Sequence, residues 1–355
     1  MPPRDGLRGA QPSSVHATNG DPEGRLSEEA GARAERVRGG DAREVARLMR
    51  DLDDARPGAR EAFAALYGHT GAAFVVGVTG APGVGKSTLV DALIAAYRAT
   101  GVRVGVVAVD PSSPFSGGAL LGDRVRMQRH ATDEGVFIRS LATRGQLGGL
   151  SRSTAAAVAV LDAAGFPVIF VETVGVGQAE IDVARMADTI VVVTAPGLGD
   201  GVQALKSGLL EIADVLVVNK GDREGAEPAL RDLTTMLQIA ERPTWPGEAP
   251  RAAPVLLRAV ATTGEGIAEL VAALEAARRA PAGERLRRRR RQAAEQVVAI
   301  VSEITQDAVA EAIGGDENPG PFAPTIDAVA ARRLDPWSAA EILSAAAKRT
   351  EDENE

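Results

Sequence analysis

Gly80-Ala81-Pro82-Gly83-Val84-Gly85-Lys86-Ser87 lies between an apolar segment, Phe74–Thr79, and a segment of helical periodicity that begins near Lys86. The eight residues match the pattern G-x-x-x-x-G-K-[ST] in full. Glycines in such a loop let backbone N–H groups turn towards phosphate oxygens, and the helix that follows presents the positive end of its dipole. The lysine then reaches the β- and γ-phosphates, and the serine hydroxyl is a ligand for Mg²⁺. The sequence therefore predicts a strand–loop–helix unit that binds a nucleoside triphosphate.

Short runs rich in β-branched residues recur on both sides of this unit. Several are apolar on consecutive residues, which is typical of strands buried on both faces of a parallel sheet. Helical patterns lie between them, at Ser87–Thr100, Ser151–Ala164 and Gly201–Ile212. The alternation predicts an α/β fold with a doubly wound, mostly parallel sheet. The seven predicted strands are Phe74–Thr79, Val102–Val109, Gly135–Leu141, Pro167–Glu172, Thr189–Thr194, Val215–Val218 and Pro254–Val260.

Four segments are distinguished by their composition. Residues 1–25 are rich in Pro, Gly, Ser and Asn, and we interpret them as a disordered tail. Residues 26–70 are helical in pattern, with a candidate cap at Asp41. Residues 71–281 carry the strands and form the predicted nucleotide-binding domain. Residues 282–355 predict a C-terminal helical extension, in which a basic run at Arg287–Arg291 leads into a long helix from about Gln292 to Ile313.

Composition excludes several classes of protein. The chain of 355 residues has a net charge of −8, which disfavours a generally basic nucleic-acid binder. It has no cysteine, so disulfides, thiolate metal sites and a cysteine nucleophile are impossible. No apolar run approaches the ~20 residues of a membrane helix, and the first residues lack the apolar core of a signal peptide. We therefore expect a cytoplasmic protein with no membrane or nucleic-acid partner.

Asn219-Lys220-Gly221-Asp222 follows a predicted strand and matches the pattern N-K-x-D. A carboxylate at Asp222 can accept hydrogen bonds from both N1–H and the 2-amino group of guanine, whereas adenine offers neither in that arrangement. Asn219 is expected to tie the base loop to the phosphate loop. The backbone of Ala261, in Ala261-Thr262-Thr263-Gly264, is the candidate donor to the guanine O6. The spacing therefore favours GTP over ATP.

Three acidic residues are expected at the carboxyl edge of the sheet. Asp110 and Glu172 each end a predicted strand, and Asp123 lies in Gly122-Asp123-Arg124. Carboxylate oxygens are ligands that Mg²⁺ prefers. All three are candidates for ligating the metal or orienting the attacking water, and the residues alone do not divide these roles. The predicted metal site therefore comprises Ser87, Asp110, Asp123 and Glu172.

Longer motifs resemble one family, the MeaB/ArgK type P-loop GTPases, which are relatives of the methylmalonic aciduria type A protein. The resemblance covers roughly residues 37–349. It rests on Gly80–Ser87, Asp110–Pro114, Gly117–Arg124, Arg139–Ser151, Glu172–Glu180, Pro196–Asp200 and Asn219–Asp222.

The resemblance implies a homodimeric, Mg²⁺-dependent GTPase that acts as a chaperone. Its partner would be a B12-dependent acyl-CoA mutase, usually methylmalonyl-CoA mutase, whose adenosylcobalamin loading it would gate and which it would protect or reactivate. By resemblance, Asp110 and Asp123 belong to switch I, Glu172–Gln178 to switch II, and Pro196–Lys206 to a third switch. The predicted catalytic residues are Lys86, Asp110, Asp123 and Glu172. The predicted nucleotide-binding residues are Gly80, Ala81, Pro82, Gly83, Val84, Gly85, Lys86, Ser87, Thr88, Asn219, Lys220, Asp222, Ala261 and Thr262.

Two other functions compete with this interpretation. A kinase linked to amino-acid transport would need an acceptor pocket, which the sequence does not identify. A metallochaperone GTPase would need clustered ligands, but His16, His69 and His130 lack metal-ligand spacing and are interpreted as incidental surface residues.

Overall fold

The computed structural model describes residues 22–110, 128–130, 132–142, 152–173, 183–197, 209–239, 252–315 and 318–343. The helices are α1 (Pro22–Arg38), α2 (Ala42–Asp53), α3 (Ala59–Tyr67), α4 (Lys86–Ala99), α5 (Arg152–Ala163), α6 (Ala226–Ile239), α7 (Ile267–Arg278), α8 (Ala282–Ile313) and α9 (Ala323–Ala330). The strands are β1 (Phe74–Thr79), β2 (Val104–Asp110), β3 (Val136–Ala142), β4 (Val168–Thr173), β5 (Thr189–Thr194), β6 (Val215–Val218), β7 (Val255–Arg258), β8 (Gly314–Gly315) and β9 (Asn318–Pro319). Short helical turns lie at Gln128–His130, Val183–Arg185 and Leu210–Ile212, and a further helical segment lies at 336–343.

Strands β1 to β7 form one parallel sheet in the order β3-β2-β4-β1-β5-β6-β7. Every residue of β1, β4 and β5 is buried, as expected for central strands covered on both faces. The predicted α/β class and its seven strands are confirmed, with each strand within two residues of its predicted ends. Strand β1, which leads into the phosphate loop, lies at the centre of the sheet.

Two hydrophobic cores cover the two faces of the sheet. On one face, α1, α2, α3, α5 and α6 contribute apolar residues such as Leu48, Leu161 and Leu233. On the other face, α4 and α7 contribute residues such as Leu93 and Leu270. Burial of each such side chain stabilises the fold by about 1.5–3 kcal/mol before the entropic cost. The sheet is therefore a fixed platform from which the loops at its carboxyl edge project.

A buried ionic network joins the first two helices. The Asp41 carboxylate caps α2 by accepting from the backbone N–H groups of Arg43 and Glu44, as the sequence predicts. The Arg33 guanidinium on α1 donates to Glu44 Oε1 and to Asp51 Oδ2, both at 2.8 Å. These three side chains are almost completely buried, so the network fixes α1 against α2.

Two pKa values reflect that network. Burial alone would raise the pKa of Asp51, but hydrogen bonds from Arg50 and Arg33 outweigh it and hold the pKa below its ordinary value. Burial alone would lower the pKa of Arg33, but hydrogen bonds to Glu44 and Asp51 raise it instead. The folded state therefore favours the charged form of both partners.

The start of α8 lies against the amino edge of the sheet. Arg288 Nη2 is 3.1 Å from Asp214 Oδ2, and Arg289 Nε is 3.8 Å from Asp188 Oδ1. The Gln292 amide, which is 7% exposed, donates to the carbonyl of Ala187 at 2.7 Å. Further along, the apolar side chains of α8 are exposed, namely Val297, Val298, Ile300, Val301 and Ile304. The helix is thus anchored at its beginning and presents an apolar surface beyond it.

The structure corrects several details of the sequence interpretation. Helices α6, α7 and α9 were not predicted, and α8 begins at Ala282 rather than near Gln292. Most of the predicted helix Gly201–Ile212 lies outside the described residues. His130 is not a surface residue, since it is 9% exposed and its Nε2 is 3.0 Å from Asp91 Oδ1 on α4.

Among the described residues, no helix combines the length and the apolar character that crossing a bilayer requires. The division of the chain at residues 25, 70 and 281 stays a prediction, and most of the proposed tail lies outside the described residues.

Candidate functional site

The phosphate loop turns tightly between β1 and α4 and passes close to two neighbouring segments. Gly80 has a φ of +135°, and a Cβ added there would lie 2.1 Å from the Val193 carbonyl oxygen on β5. Gly85 has a φ of +95°, and a Cβ there would lie 2.5 Å from Asn219 Nδ2. Both conformations are costly for any residue with a Cβ. The two glycines therefore allow the loop to lie against β5 and against the base motif.

Lys86, the first residue of α4, points back along the loop. Its ammonium donates to the carbonyls of Gly80 at 2.7 Å and Ala81 at 3.0 Å. The residue is only 6% exposed. These contacts hold the ammonium within the loop, where it can attract an anionic group.

Ser87 and Glu172 join the loop to the end of β4. The Ser87 hydroxyl donates to Glu172 Oε1 at 2.6 Å, and both residues are buried. Thr173 follows Glu172 on β4, and its hydroxyl donates to the hydroxyl of Thr79 at the end of β1, at 3.0 Å. The structure thus brings together two of the four residues predicted to hold the metal.

Of the other two predicted metal ligands, Asp110 and Asp123, the structure describes only the backbone of Asp110. Asp110 is the last residue of β2, one position beyond Val109, which pairs with Thr173 on β4. Its backbone therefore lies at the same edge of the sheet as Glu172, although its side chain lies outside the described part of the chain. Asp123 lies outside the described residues altogether, as do Gln178 and Lys206.

Asn219 links the phosphate loop to both base segments. Its Nδ2 donates to the carbonyls of Val84 at 2.9 Å and Gly85 at 3.4 Å, and its Oδ1 accepts from the backbone N–H of Ala261 at 3.1 Å. Asn219 is 2% exposed, so these contacts are shielded from water. The phosphate loop and the Ala261 loop are consequently held at a fixed separation by one side chain.

Lys220 and Asp222 extend from that link. Lys220 adopts a left-handed φ of +56°, and its ammonium donates to the Gly83 carbonyl at 2.6 Å. The side chains of Asp222 and Thr262 are exposed, whereas Ala261 is buried. The arrangement provides a fixed backbone donor and an accessible carboxylate on neighbouring loops, which suits recognition of a planar base by its polar edge.

Sequence reasoning missed two contacts at the carboxyl edge of the sheet. The direct hydrogen bond between Ser87 and Glu172 was not expected, because both residues were considered only as metal partners. Arg258, which ends β7 and contacts Gly221, was not singled out. No motif marks Arg258, and its position beside the base motif follows only from the pairing of β6 with β7.

Comparison with known proteins identifies the family. The family model described as "Methylmalonyl Co-A mutase-associated GTPase MeaB" matches residues 42–314. The chain belongs to the MeaB family. A relative from Pyrococcus abyssi, named as a GTPase, is 48% identical over 311 residues, which cover 87% of this chain and 94% of that protein. The mitochondrial methylmalonic aciduria type A homolog of Mus musculus is 40% identical over 202 residues, covering 56% of this chain and 47% of that protein.

Among solved structures, the chain is similar to one described as a LAO/AO transport system kinase. The TM-score is 0.66 and the identity 26%, and the alignment covers 93% of this chain and all of that one. The likeness extends beyond the nucleotide loop to most of the fold. This MeaB-family protein is a P-loop GTPase, and binding of GTP and GDP is a property of its family.

Proposed function

We propose that this MeaB-family GTPase is a chaperone for a B12-dependent acyl-CoA mutase, methylmalonyl-CoA mutase or a relative, and that its GTP cycle gates the loading of adenosylcobalamin. The observation that carries the proposal is the family match over residues 42–314, because the family is described by its association with that mutase. The mouse relative is named after methylmalonic aciduria, which is consistent with the same partner.

At the phosphate end, the roles follow from position and charge. The backbone N–H groups from Gly80 to Thr88, apart from Pro82, which has none, bind the phosphate oxygens, aided by the dipole of α4. The Lys86 ammonium exchanges its contacts with the Gly80 and Ala81 carbonyls for the β- and γ-phosphates. Because Lys86 is nearly buried, its charge stabilises the developing negative charge more strongly than it would in water.

The residues around Ser87 suit Mg²⁺. A hydroxyl and a buried carboxylate, 2.6 Å apart, supply the hard oxygen donors that this ion prefers. We propose that Ser87 binds the ion and that Glu172, Asp110 and Asp123 ligate it directly or through water. When bound, Mg²⁺ would neutralise charge on the β- and γ-phosphates. Asp110 is our candidate for orienting the attacking water, since β2 ends beside β4 at this edge.

At the base end, Asp222 accepts from the guanine N1–H and 2-amino group, and the backbone of Ala261 donates to O6. Asn219 supports both contacts by fixing the Ala261 loop relative to the phosphate loop. Lys220 lies along the same side of the site, and Thr262 borders it. These roles explain a preference for GTP over ATP.

We further propose that α8 mediates a homodimer. A helix that exposes Val297, Ile300, Val301 and Ile304 must bury that stripe against another surface to be stable in water. The double variant Ile300→Asp/Ile304→Asp should therefore be a soluble monomer that still binds GDP. Light scattering of the unmutated protein decides the matter, because a monomer would contradict the dimer.

The segment Pro196–Lys206 is proposed as the switch that signals to the mutase. Its first residues follow β5, which adjoins β1. Most of it lies outside the described residues, so the proposal rests on the resemblance. Asp200→Ala and Lys206→Ala should leave basal hydrolysis nearly intact but remove most of the stimulation by the mutase. An unchanged ratio of stimulated to basal hydrolysis in both variants would refute this role.

A kinase function is the second candidate, because one solved structure to which this chain is similar is named as a transport system kinase. The two candidates differ in the fate of the γ-phosphate. A GTPase releases one phosphate for each GTP consumed, whatever acceptor is present. Labelled phosphate that appears on an added amino acid or protein would favour the kinase.

The chaperone proposal is tested by loading apo-mutase with adenosylcobalamin in the presence of this protein. We expect loading to differ between GTP, GDP and a non-hydrolysable GTP analogue, because the nucleotide state controls the contact with the mutase. Loading that is the same in all three states would contradict the proposal. A cytoplasmic location stays a prediction.

A further inference from the structure

Gly221, in the base motif, lies in unusually close contact with Arg258. A Cβ added to Gly221 would lie 2.5 Å from Arg258 Cγ, 2.8 Å from Nε and 3.1 Å from Cδ. The φ of Gly221 is not in the left-handed region, so its backbone conformation is open to other residues. The glycine is therefore required by space rather than by backbone geometry, and Arg258 takes up that space.

The backbone holds the two residues side by side. The N–H of Gly221 donates to the Ala259 carbonyl at 2.9 Å, and the N–H of Ala259 donates to the Val218 carbonyl at 2.9 Å. These bonds extend the pairing of β6 with β7 beyond the ends of both strands. Gly221 consequently cannot move away from Arg258 without breaking the sheet ladder.

The guanidinium of Arg258 reaches the far end of the second base loop. Its Nη2 donates to Glu265 Oε1 at 2.9 Å, and its Nη1 is 3.6 Å from Glu227 Oε1 on α6. Glu265 closes the loop, because its carbonyl accepts from the N–H of Val260 at 2.9 Å. Arg258 thus spans from the base motif to the residue that closes the Ala261 loop.

We infer that Arg258 is a positioning residue for base recognition, and that it sets the separation between Asp222 and the backbone N–H of Ala261. The inference rests on the proposed roles of those two residues. The stem of Arg258 acts as a spacer against Gly221. Its ion pairs are 40% exposed on the Arg258 side, so they add only modestly to the effect.

The test is a double-mutant cycle read out as GDP affinity by calorimetry. Gly221→Ala should weaken GDP binding about tenfold, because the new methyl group displaces the Arg258 stem. Arg258→Ala alone should weaken it about threefold. The double variant should be no weaker than Arg258→Ala, since no stem remains to be displaced. Gly68→Ala is the matched control, because its added Cβ meets nothing within 4 Å.

Arg258→Met separates the stem from the charge. It keeps the spacer and loses both ion pairs, so GDP affinity should stay within about twofold of the unmutated protein. Gly221→Ala added to Arg258→Met should again weaken binding about tenfold. If Arg258→Met weakens binding as much as Arg258→Ala, the spacer role is wrong.

Nucleotide preference distinguishes positioning from general loss of stability. A positioning role lowers the ratio of GDP affinity to ADP affinity, whereas a damaged fold weakens both nucleotides alike. Additive effects in the cycle, with Asp222→Ala still lowering the preference for guanine, would overturn the inference and leave the base assignment standing. Unchanged guanine preference in Asp222→Ala would overturn the base assignment and the inference together.

Discussion

The two edges of the parallel sheet are built from the same strands but in different ways. At the carboxyl edge, β1 and β6 run into Gly80 and Asn219, where glycines and buried polar side chains shape the loops. At the amino edge, Asp188 and Asp214 precede β5 and β6 and pair with arginines of α8. The carboxyl edge places Lys86 in the phosphate loop, where it can meet a ligand, whereas the amino edge pairs its acids with arginines of α8.

That difference indicates that the amino edge stabilises the fold and that the carboxyl edge carries the nucleotide chemistry. Asp188 Oδ2 accepts from the N–H of Val75, and Asp214 Oδ2 accepts from the N–H of Ile190, so both acids also complete the sheet. Variants at the amino edge should therefore change stability and leave nucleotide chemistry intact. Variants at the carboxyl edge should change nucleotide binding and hydrolysis and leave the stability of the fold nearly unchanged.

The largest effect is expected at Lys86. Lys86→Ala removes a nearly buried positive charge beside the proposed phosphate site, and GTP hydrolysis should fall on the order of a thousandfold. The melting temperature should change little, because the Lys86 ammonium donates to the Gly80 and Ala81 carbonyls of its own loop, so the substitution changes a local contact. Steady-state phosphate release measures the first and thermal unfolding the second. Hydrolysis at the normal rate would show that the carboxyl edge is not the catalytic one.

In the N-terminal helices, we expect a substitution to lower the free energy of unfolding and to leave GTP hydrolysis unchanged. Arg33→Met leaves Glu44 and Asp51 buried without their shared partner and should cost about 3 kcal/mol of folding free energy. Arg36→Met is the matched control, because Arg36 also pairs with Glu44 but is half exposed, and it should cost less than about 1 kcal/mol. Urea denaturation measures both, and equal costs would contradict the network.

The stability lost in Arg33→Met should depend on pH, and the direction follows from the pKa of Asp51. Folding lowers the pKa of Asp51 below 3.8, so its contribution is present above that pH and is lost as the pH falls through the folded-state value. The difference in stability between Arg33→Met and the unmutated protein should therefore shrink below pH 3.8. A difference that stays constant into stronger acid would assign the effect to packing alone.

Base recognition should depend on Asp222. Asp222→Ala removes the carboxylate proposed to bind two groups of guanine, and the preference for GDP over ADP should fall about a hundredfold. Glu224→Ala provides the control, since Glu224 is an exposed acid two residues further along the same loop. Calorimetry with both nucleotides measures the preference, and equal preferences in the two variants would remove Asp222 from the base site.

The smallest effect belongs to the amino edge. Arg288→Ala/Arg289→Ala removes two partly exposed ion pairs and should lower the folding free energy by about 1 kcal/mol. Arg290→Ala, at an exposed position of the same run, should have no measurable effect. GDP affinity should be unchanged in both. A loss of GDP affinity in the double variant would show that the two edges are not independent.

The sequence predicts the sheet well because burial on both faces leaves a strong signal. Consecutive β-branched residues, as in Thr189–Thr194, are uncommon outside such strands. Helix α6 was missed although Leu230, Leu233 and Leu237 recur at spacings of three and four. Its Thr, Gln and Asp residues weaken the helical pattern, and only packing against the sheet reveals its apolar face.

Contacts between distant segments were harder to predict. The basic run at Arg287–Arg291 carries no signal of its partners, whereas in the structure Arg288 pairs with Asp214 and Arg289 with Asp188. Which acids they meet depends on where the start of α8 lies along the amino edge of the sheet, and the local sequence does not encode that position. The same holds for Ser87 and Glu172, whose hydrogen bond joins residues 85 positions apart.

The proposal as a whole is tested most directly by phosphate release from GTP, measured for this protein alone and with a B12-dependent acyl-CoA mutase at saturating concentration. If the protein is a chaperone for that mutase, the rate rises several-fold when the mutase is added, and Lys86→Ala lowers both rates on the order of a thousandfold. The same rate with and without a mutase that binds adenosylcobalamin would contradict the account.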